Sequence, residues 1–142
     1  MKILELFDSR DKKKRLSHIA NLLAMAGMDG NADERELAFI NSVVKNKGVT
    51  LSERNRILTR PKSVKFYVPE SNTEKLEQLF DLVLVMIADG EIHENEKLFC
   101  KVIATNLGFK EIIVDLMIEI VLDAIDQDLG EEYVIKKLED LL

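Results

Sequence analysis

The sequence predicts an all-α protein, a single compact bundle of about seven helices in which two helical hairpins are related by a pseudo-twofold axis. Apolar residues recur at intervals of three and four along most of the chain, which is the period of an amphipathic helix. In addition, residues 23–48 match residues 83–108 without a gap, which indicates that a hairpin was duplicated. With 142 residues and 46% apolar content, the chain can bury one sizeable core, so we expect a single domain over 1–142.

The first half of the chain predicts three helices. The first covers about residues 9–28 and ends before Gly30, because glycine readily adopts the left-handed conformation that stops a helix. The second continues the helical spacing up to Gly48. Thr50 and Glu53 have the spacing of a capping box and predict the start of a short basic helix.

An extended connector is predicted between Pro61 and Pro69. Val64, Phe66 and Val68 alternate there with other residues, so we expect these three side chains to pack on the bundle.

The second half predicts four more helices. Ser71 with Glu74 caps the fourth helix, and the fifth ends before Gly108. The sixth and seventh are expected near 110–127 and 131–141.

The internal repeat contains seven identities among 26 aligned positions, at an offset of 60 residues. Each copy reads helix, Asp-Gly turn, helix, so two related hairpins are expected to pack with their turns close together. The identical pairs are Asp29 and Asp89, Gly30 and Gly90, Glu34 and Glu94, Glu36 and Glu96, Phe39 and Phe99, Asn46 and Asn106, and Gly48 and Gly108.

The repeated turn resembles the signature of the TerB family. Ala88-Asp89-Gly90 is followed six residues later by Glu96, and Met28-Asp29-Gly30 is followed by Glu36 in the same way. The family takes its name from bacterial tellurite resistance, and its fold also occurs as an N-terminal module of some membrane-anchored J-domain cochaperones. The resemblance covers most of the chain. It implies a TerB-like helical bundle in a bacterial protein tied to stress response or to the assembly of other proteins, with no settled enzymatic activity.

The resemblance also implies a divalent-cation site at the acidic turns, formed by match from Asp29, Glu36, Asp89 and Glu96. An EF-hand loop is excluded, because its first and third ligand positions would fall on Val85 and Ile87, which carry no side-chain oxygen. A weaker cation site shared between the two turns is kept as a hypothesis.

The alternative hypothesis is that the turns only cap helices. Asp33 would cap the second helix, and Glu36 three residues later would bond back to the cap's amide, an arrangement that contributes about 1 kcal/mol without any ion. In the second copy His93 replaces the aspartate and is expected to cap poorly. One cysteine and two histidines are too few for a structural zinc site, and Cys100 is expected in the core.

Two charged segments are candidate partner-binding surfaces, although solvated edges would give the same pattern. The basic segment has no acid between residues 54 and 65. The acidic one lies on the sixth helix, where a carboxylate recurs every four residues, and would suit a basic partner or the chain's own basic first helix. The candidate residues are Arg54, Arg56, Arg60 and Lys62, and Glu111, Asp115, Glu119 and Asp123.

Composition narrows the class of function. A net charge of -6, with no aromatic residues interleaved in the basic segment, argues against nucleic-acid binding. A single cysteine, no leader-like start and no run of roughly 20 apolar residues predict a cytoplasmic protein without membrane insertion. No catalytic motif is present. We therefore expect a non-enzymatic interaction module that binds another protein, with a divalent-cation-binding or sensing protein as the alternative; no other cofactor is expected.

Overall fold

The structure is a computed structural model that describes residues 3–27, 34–88 and 90–142, and the side chains from residue 10 onward. The described part contains seven α-helices, one short 3₁₀ turn at Pro61–Ser63 and no strand, which confirms the all-α prediction. The helices are α1 (Ile3–Ala26), α2 (Glu34–Asn46), α3 (Leu51–Thr59), α4 (Asn72–Ile87), α5 (Glu94–Asn106), α6 (Ile112–Asp126) and α7 (Glu131–Leu141).

The chain divides into two compact units at the end of the connector. Unit 1 covers Met1–Val68 and unit 2 covers Pro69–Leu142. In unit 1, α1 packs against both α2 and α3, whereas in unit 2 α4 packs against α5, α6 and α7. Each unit contains one copy of the repeated hairpin, α1 with α2 and α4 with α5. The single domain over 1–142 and the pseudo-twofold packing of the hairpins stay predictions.

Helices α2 and α5 have the same local structure. Their bounds differ by the same 60 residues that relate the two sequences. Both helices also end in the same way, since the N–H groups of Val49 and Phe109 donate to carbonyls five residues earlier, at 3.1 and 2.9 Å. This bond requires a left-handed residue just before it, and Gly48 and Gly108 supply it with φ of 68° and 98°.

The predicted helix caps are present where the structure describes them. Glu53 N–H donates to Thr50 Oγ1 and Thr50 N–H donates to Glu53 Oε1, both at 3.1 Å, which confirms the capping box of α3. The Ser71 hydroxyl accepts the N–H of Glu74 at 3.1 Å at the start of α4. Helix α1 begins earlier than predicted because no glycine or proline interrupts its charged N-terminal segment.

The connector is non-helical beyond Ser63, as predicted, but its expected packing is wrong for two residues. Phe66 and Val68 are 39% and 41% exposed, and only Val64 is half-buried. The cause is a backbone bond, since Tyr67 N–H donates to the buried hydroxyl of Ser17 at 2.9 Å. This bond attaches the connector to α1 through its backbone, so its attachment does not require burial of Phe66 or Val68.

Candidate functional site

The four predicted cation ligands are only partly covered by the structure. Asp29 and Asp89 lie outside the described residues. Glu36 and Glu96 occupy the first turns of α2 and α5, where they are 4% and 1% exposed. They are the only buried carboxylates among the described side chains. The repeat therefore places the same acidic residue in the same buried position twice.

Burial sets these two glutamates apart from an ordinary capping residue. In the capping box of α3, the side chain of Glu53 keeps 18% of its surface exposed while it bonds to Thr50 and to Lys12. Burying a carboxylate costs several kcal/mol unless it is partnered, and both Glu36 and Glu96 do have interaction partners. Sequence identity identified this pair of residues, but it carried no signal of their burial.

The surroundings of Glu96 differ from a catalytic or thiolate site. Cys100 lies one turn further along α5 and is fully buried. Burial, reinforced by the charge of Glu96, raises the pKa of the Cys100 thiol to about 12, so the group stays protonated at neutral pH. Its complete burial confirms the prediction that Cys100 is a small core residue.

His93 precedes α5 and makes no side-chain capping bond, which confirms the prediction that it caps poorly. Its Nε2 lies 3.9 Å from Oε1 of Glu96 and 3.9 Å from Oε2 of Glu91. Within the described ranges, no three His, Cys, Asp or Glu side chains come together as a metal site would require. The described residues alone therefore do not form a metal centre.

The basic segment contains one structural residue and three exposed ones. The guanidinium of Arg54 donates to Asn41 Oδ1 at 2.7 Å and ties α3 to α2. Arg56, Arg60 and Lys62 are exposed, and none of their side chains makes a hydrogen bond or ion pair within the part of the chain that the structure describes. These three can therefore meet a partner without breaking an internal contact.

Arg56 also lines a cavity of about 510 Å³ in unit 1, which we call the basic cleft. The sequence shows two basic runs and a connector. Only the fold shows that all three line the same cavity. The cleft is lined by Lys13 and Leu16 of α1, Arg56 of α3, and Ser63, Val64, Lys65, Phe66 and Tyr67 of the connector.

The acidic edge of α6 is likewise divided between internal and exposed groups. Asp115 Oδ1 lies 2.9 Å from Lys97 Nζ and its Oδ2 lies 3.3 Å from Lys101 Nζ, so α5 neutralises it. The hydrogen bond from Lys97 is the main reason that the pKa of Asp115 is lowered. Glu111, Glu119 and Asp123 are exposed, so three of the four predicted acidic residues are available to a partner.

Unit 2 has its own cavity of about 380 Å³ between α4 and α7, which we call the acidic cleft. The hydroxyl of Thr73 donates to Glu139 Oε1 at 3.2 Å across it. None of the predicted partner-binding residues belongs to this cleft. It is lined by Thr73, Glu77, Glu131, Glu132, Ile135, Lys136 and Glu139.

The charge of the molecule is divided between the units. Unit 1 carries 14 basic and 8 acidic side chains, a net charge of +6, whereas unit 2 carries 6 basic and 18 acidic side chains, a net charge of -12. The modest total of -6 therefore conceals two strongly and oppositely charged units.

Comparison of the chain with family models, curated proteins and solved structures found no match. The resemblance to the TerB family rests on the residues of the repeated turn. None of the described helices is both long enough and apolar enough to cross a lipid bilayer.

Proposed function

We propose that the chain is a non-enzymatic, TerB-like interaction module of a bacterial stress response that binds a protein partner through its charged surfaces. The observation that carries this proposal is the division of charge into a unit of +6 and a unit of -12. Segregated charge accelerates and orients the encounter with a complementary protein, because exposed charges act over a screening length of about 8 Å at physiological ionic strength. Evenly mixed charge would suffice for solubility alone.

Fewer residues are assigned to the basic and acidic partner-binding surfaces than the sequence predicted. Arg54 and Asp115 hold helices together and are assigned a structural role. The partner-binding residues are then Arg56, Arg60 and Lys62 on unit 1, and Glu111, Glu119 and Asp123 on unit 2. Neutralising either set leaves the described ion pairs between helices in place.

The test is affinity capture from the native host, followed by measurement of the purified complex. A basic-surface variant (Arg56→Gln, Arg60→Gln and Lys62→Gln) is compared with an acidic-surface variant (Glu111→Gln, Glu119→Gln and Asp123→Asn). We expect at least one of the two variants to lose the partner, with association slowed by added salt. Capture of the same proteins by the parent and both variants would contradict the proposal, and so would turnover of a small molecule by the purified chain.

A second candidate is divalent-cation binding at the acidic turns, by Asp29, Glu36, Asp89 and Glu96. The specific observation in its favour is the matched burial of Glu36 and Glu96, since a capping role does not require either carboxylate to leave water. Buried carboxylate oxygens are suitable ligands for magnesium, manganese or calcium.

Melting temperatures with and without these cations separate the two roles. The parent is compared with the Glu36→Gln, Glu96→Gln double variant, because glutamine still serves at the third position of a helix but is a much weaker ligand. Cation binding predicts that the ion stabilises the parent and not the variant. A cation that shifts neither protein, or both equally, would leave the capping role as the explanation.

A further inference from the structure

The basic cleft of unit 1 is closed by three segments that the fold brings together. Helix α1 contributes Lys13 and Leu16, α3 contributes Arg56, and the connector forms the remaining wall. A cavity of about 510 Å³ lies within the usual range of small-molecule sites.

Hydrogen bonds hold the connector residues that line the cleft in place. Tyr67 N–H donates to the hydroxyl of Ser17, which is 1% exposed, at 2.9 Å. At the other end, the hydroxyl of Ser63 donates to the carbonyl of Arg60 at 2.6 Å, and Ser63 N–H reaches the same carbonyl at 3.0 Å. The cleft is therefore formed in the free protein, and a ligand need not order it first.

Over the part of the chain that the structure describes, the cations at the cleft have no internal partner, unlike their neighbours. In the basic run of α1, Lys12 lies 2.9 Å from Glu53, and Lys14 and Arg15 both pair with Asp11. Lys13, the member of the run that lines the cleft, makes no ion pair or side-chain hydrogen bond within the described residues. The same holds for Arg56 and Lys65 over the described ranges of the chain.

Three uncompensated cations around one cavity favour an anion, because a bound negative charge relieves their mutual repulsion. Among the side chains that the structure describes, no carboxylate or amide lines the cleft. A sugar or an amine would leave its own donors without side-chain acceptors of this kind, which costs binding energy. The head group that fits is thus a carboxylate or a phosphate, which only accepts.

Three of the other lining residues are apolar. Leu16, Val64 and Phe66 cover part of the wall, and Phe66 is 39% exposed although it is aromatic. Covering such surface is favourable at about 25 cal/mol per Å² of apolar area removed from water. We propose that the basic cleft binds a small amphipathic anion, with the carboxylate or phosphate held by Lys13, Arg56 and Lys65 and an apolar body against Leu16, Val64 and Phe66. This site goes beyond the proposed protein interaction and does not depend on it.

The test uses the purified full chain and ligands that share one alkyl body. Octanoate and octyl phosphate are compared with neutral octanol, cationic octylamine and inorganic phosphate, and binding is followed by amide shifts in ¹H–¹⁵N spectra. We expect saturable shifts at Ser63–Tyr67 with a dissociation constant on the order of 0.1–1 mM for the better of the two amphipathic anions. The comparison of octanoate with octyl phosphate identifies the preferred head group.

Matched variants distinguish the cleft from the general positive field of unit 1. Arg56→Gln and Lys65→Gln are expected to weaken binding about five- to tenfold each, because each removes a charged donor to the head group. Arg60→Gln and Lys62→Gln remove the same charge from the same region but lie outside the lining, and should change affinity less than about twofold. Phe66→Ser should weaken octyl phosphate while leaving any binding of inorganic phosphate unchanged.

Several outcomes would overturn the proposal. These are no saturable shift up to about 10 mM ligand, binding of octanol or octylamine as tight as that of the anions, equal loss of affinity in Lys62→Gln and Lys65→Gln, and equal affinity for inorganic and octyl phosphate. Arg56 belongs to both the basic surface and the cleft, so the other residues separate the two proposals. Arg60, Lys62 and the acidic surface test the protein interaction alone, whereas Lys65→Gln and Phe66→Ser test the cleft alone.

Discussion

The two copies of the repeated hairpin bury the same face of their second helix but differ at several exposed positions of that helix. Ile40 and Cys100 occupy matched sites and are both fully buried, and the glutamate one turn earlier is buried in each copy. On the outward face, α2 carries Ala38 and Ser42 where α5 carries Leu98 and Val102, which are 57% and 56% exposed.

The difference shows which features belong to the hairpin and which to its surroundings. Helix bounds, the glycine that ends the second helix and the buried glutamate are common to both copies. Charge is not, since unit 1 is net basic and unit 2 is net acidic. If a property of the protein depends on the common features, mutations at matched positions should affect it in both units. If it depends on charge, mutations in only one unit should affect it.

The largest expected effect comes from truncating the matched core residues. Ile40→Ala removes most of a buried branched side chain and should lower the free energy of unfolding by about 2–5 kcal/mol. Cys100→Ala removes a single buried sulfur and should cost about 1 kcal/mol, because the thiol packs as a small apolar group. Urea denaturation followed by far-UV circular dichroism measures both changes.

A cost for Cys100→Ala that equals or exceeds that of Ile40→Ala would contradict the role of the thiol as a small apolar core group. It would mean that the thiol has a role beyond filling space. The raised pKa of the Cys100 thiol gives no reason to expect such a role, since a protonated thiol is a poor nucleophile and a poor metal ligand at neutral pH.

Much of this architecture follows from local sequence signals. Helical spacing and glycine stops gave all seven helices, and Thr50 with Glu53 gave a cap that the structure contains. The exposure of Phe66 and Val68 did not follow, because it depends on a bond between Tyr67 and Ser17, which are 50 residues apart. Alternation in a short extended segment predicts which side chains lie on the same face of that segment. Which face is buried depends on contacts with residues that are distant in sequence.

The candidate sites were predictable to a smaller extent. The 60-residue repeat pointed to Glu36 and Glu96 but not to their burial, which depends on the packing of neighbouring helices. The basic cleft combines Lys13, Arg56 and Lys65, which are up to 52 positions apart in sequence. Charge runs identify candidates, and only the fold shows that Lys13, unlike its neighbours, has no acidic partner among the described side chains.

A smaller effect is expected where the two hairpins end differently. In unit 1, Arg15 Nη1 donates to the carbonyl of Lys47 at 2.8 Å and so caps the C-terminus of α2. Lys75 lies 60 residues further along the chain, in α4 of unit 2, and makes no such bond among the described residues. Arg15→Ala should therefore cost about 1–2 kcal/mol, and Lys75→Ala less than about 0.5 kcal/mol.

Chemical denaturation of both variants tests this difference. Alanine has at least as high a helix propensity as arginine or lysine, so neither change is expected to weaken its own helix. Equal costs at the two positions would show that the bond to Lys47 does not contribute to stability.

The smallest expected effect concerns the ion pairs that join helices in each unit, Lys12 with Glu53 in unit 1 and Asp115 with Lys97 and Lys101 in unit 2. The hydrogen bond from the lysine lowers the pKa of Glu53 and of Asp115 below their ordinary values of 4.5 and 3.8. A carboxyl with a lowered folded-state pKa stabilises the fold above its ordinary pKa, and this contribution is lost as the pH falls through the lowered value.

Asp115→Asn should therefore cost at most about 1 kcal/mol at pH 7, with less difference from the parent below about pH 4. Urea denaturation at neutral and acid pH measures this convergence, and a difference that stayed constant with pH would assign the effect to packing instead of charge.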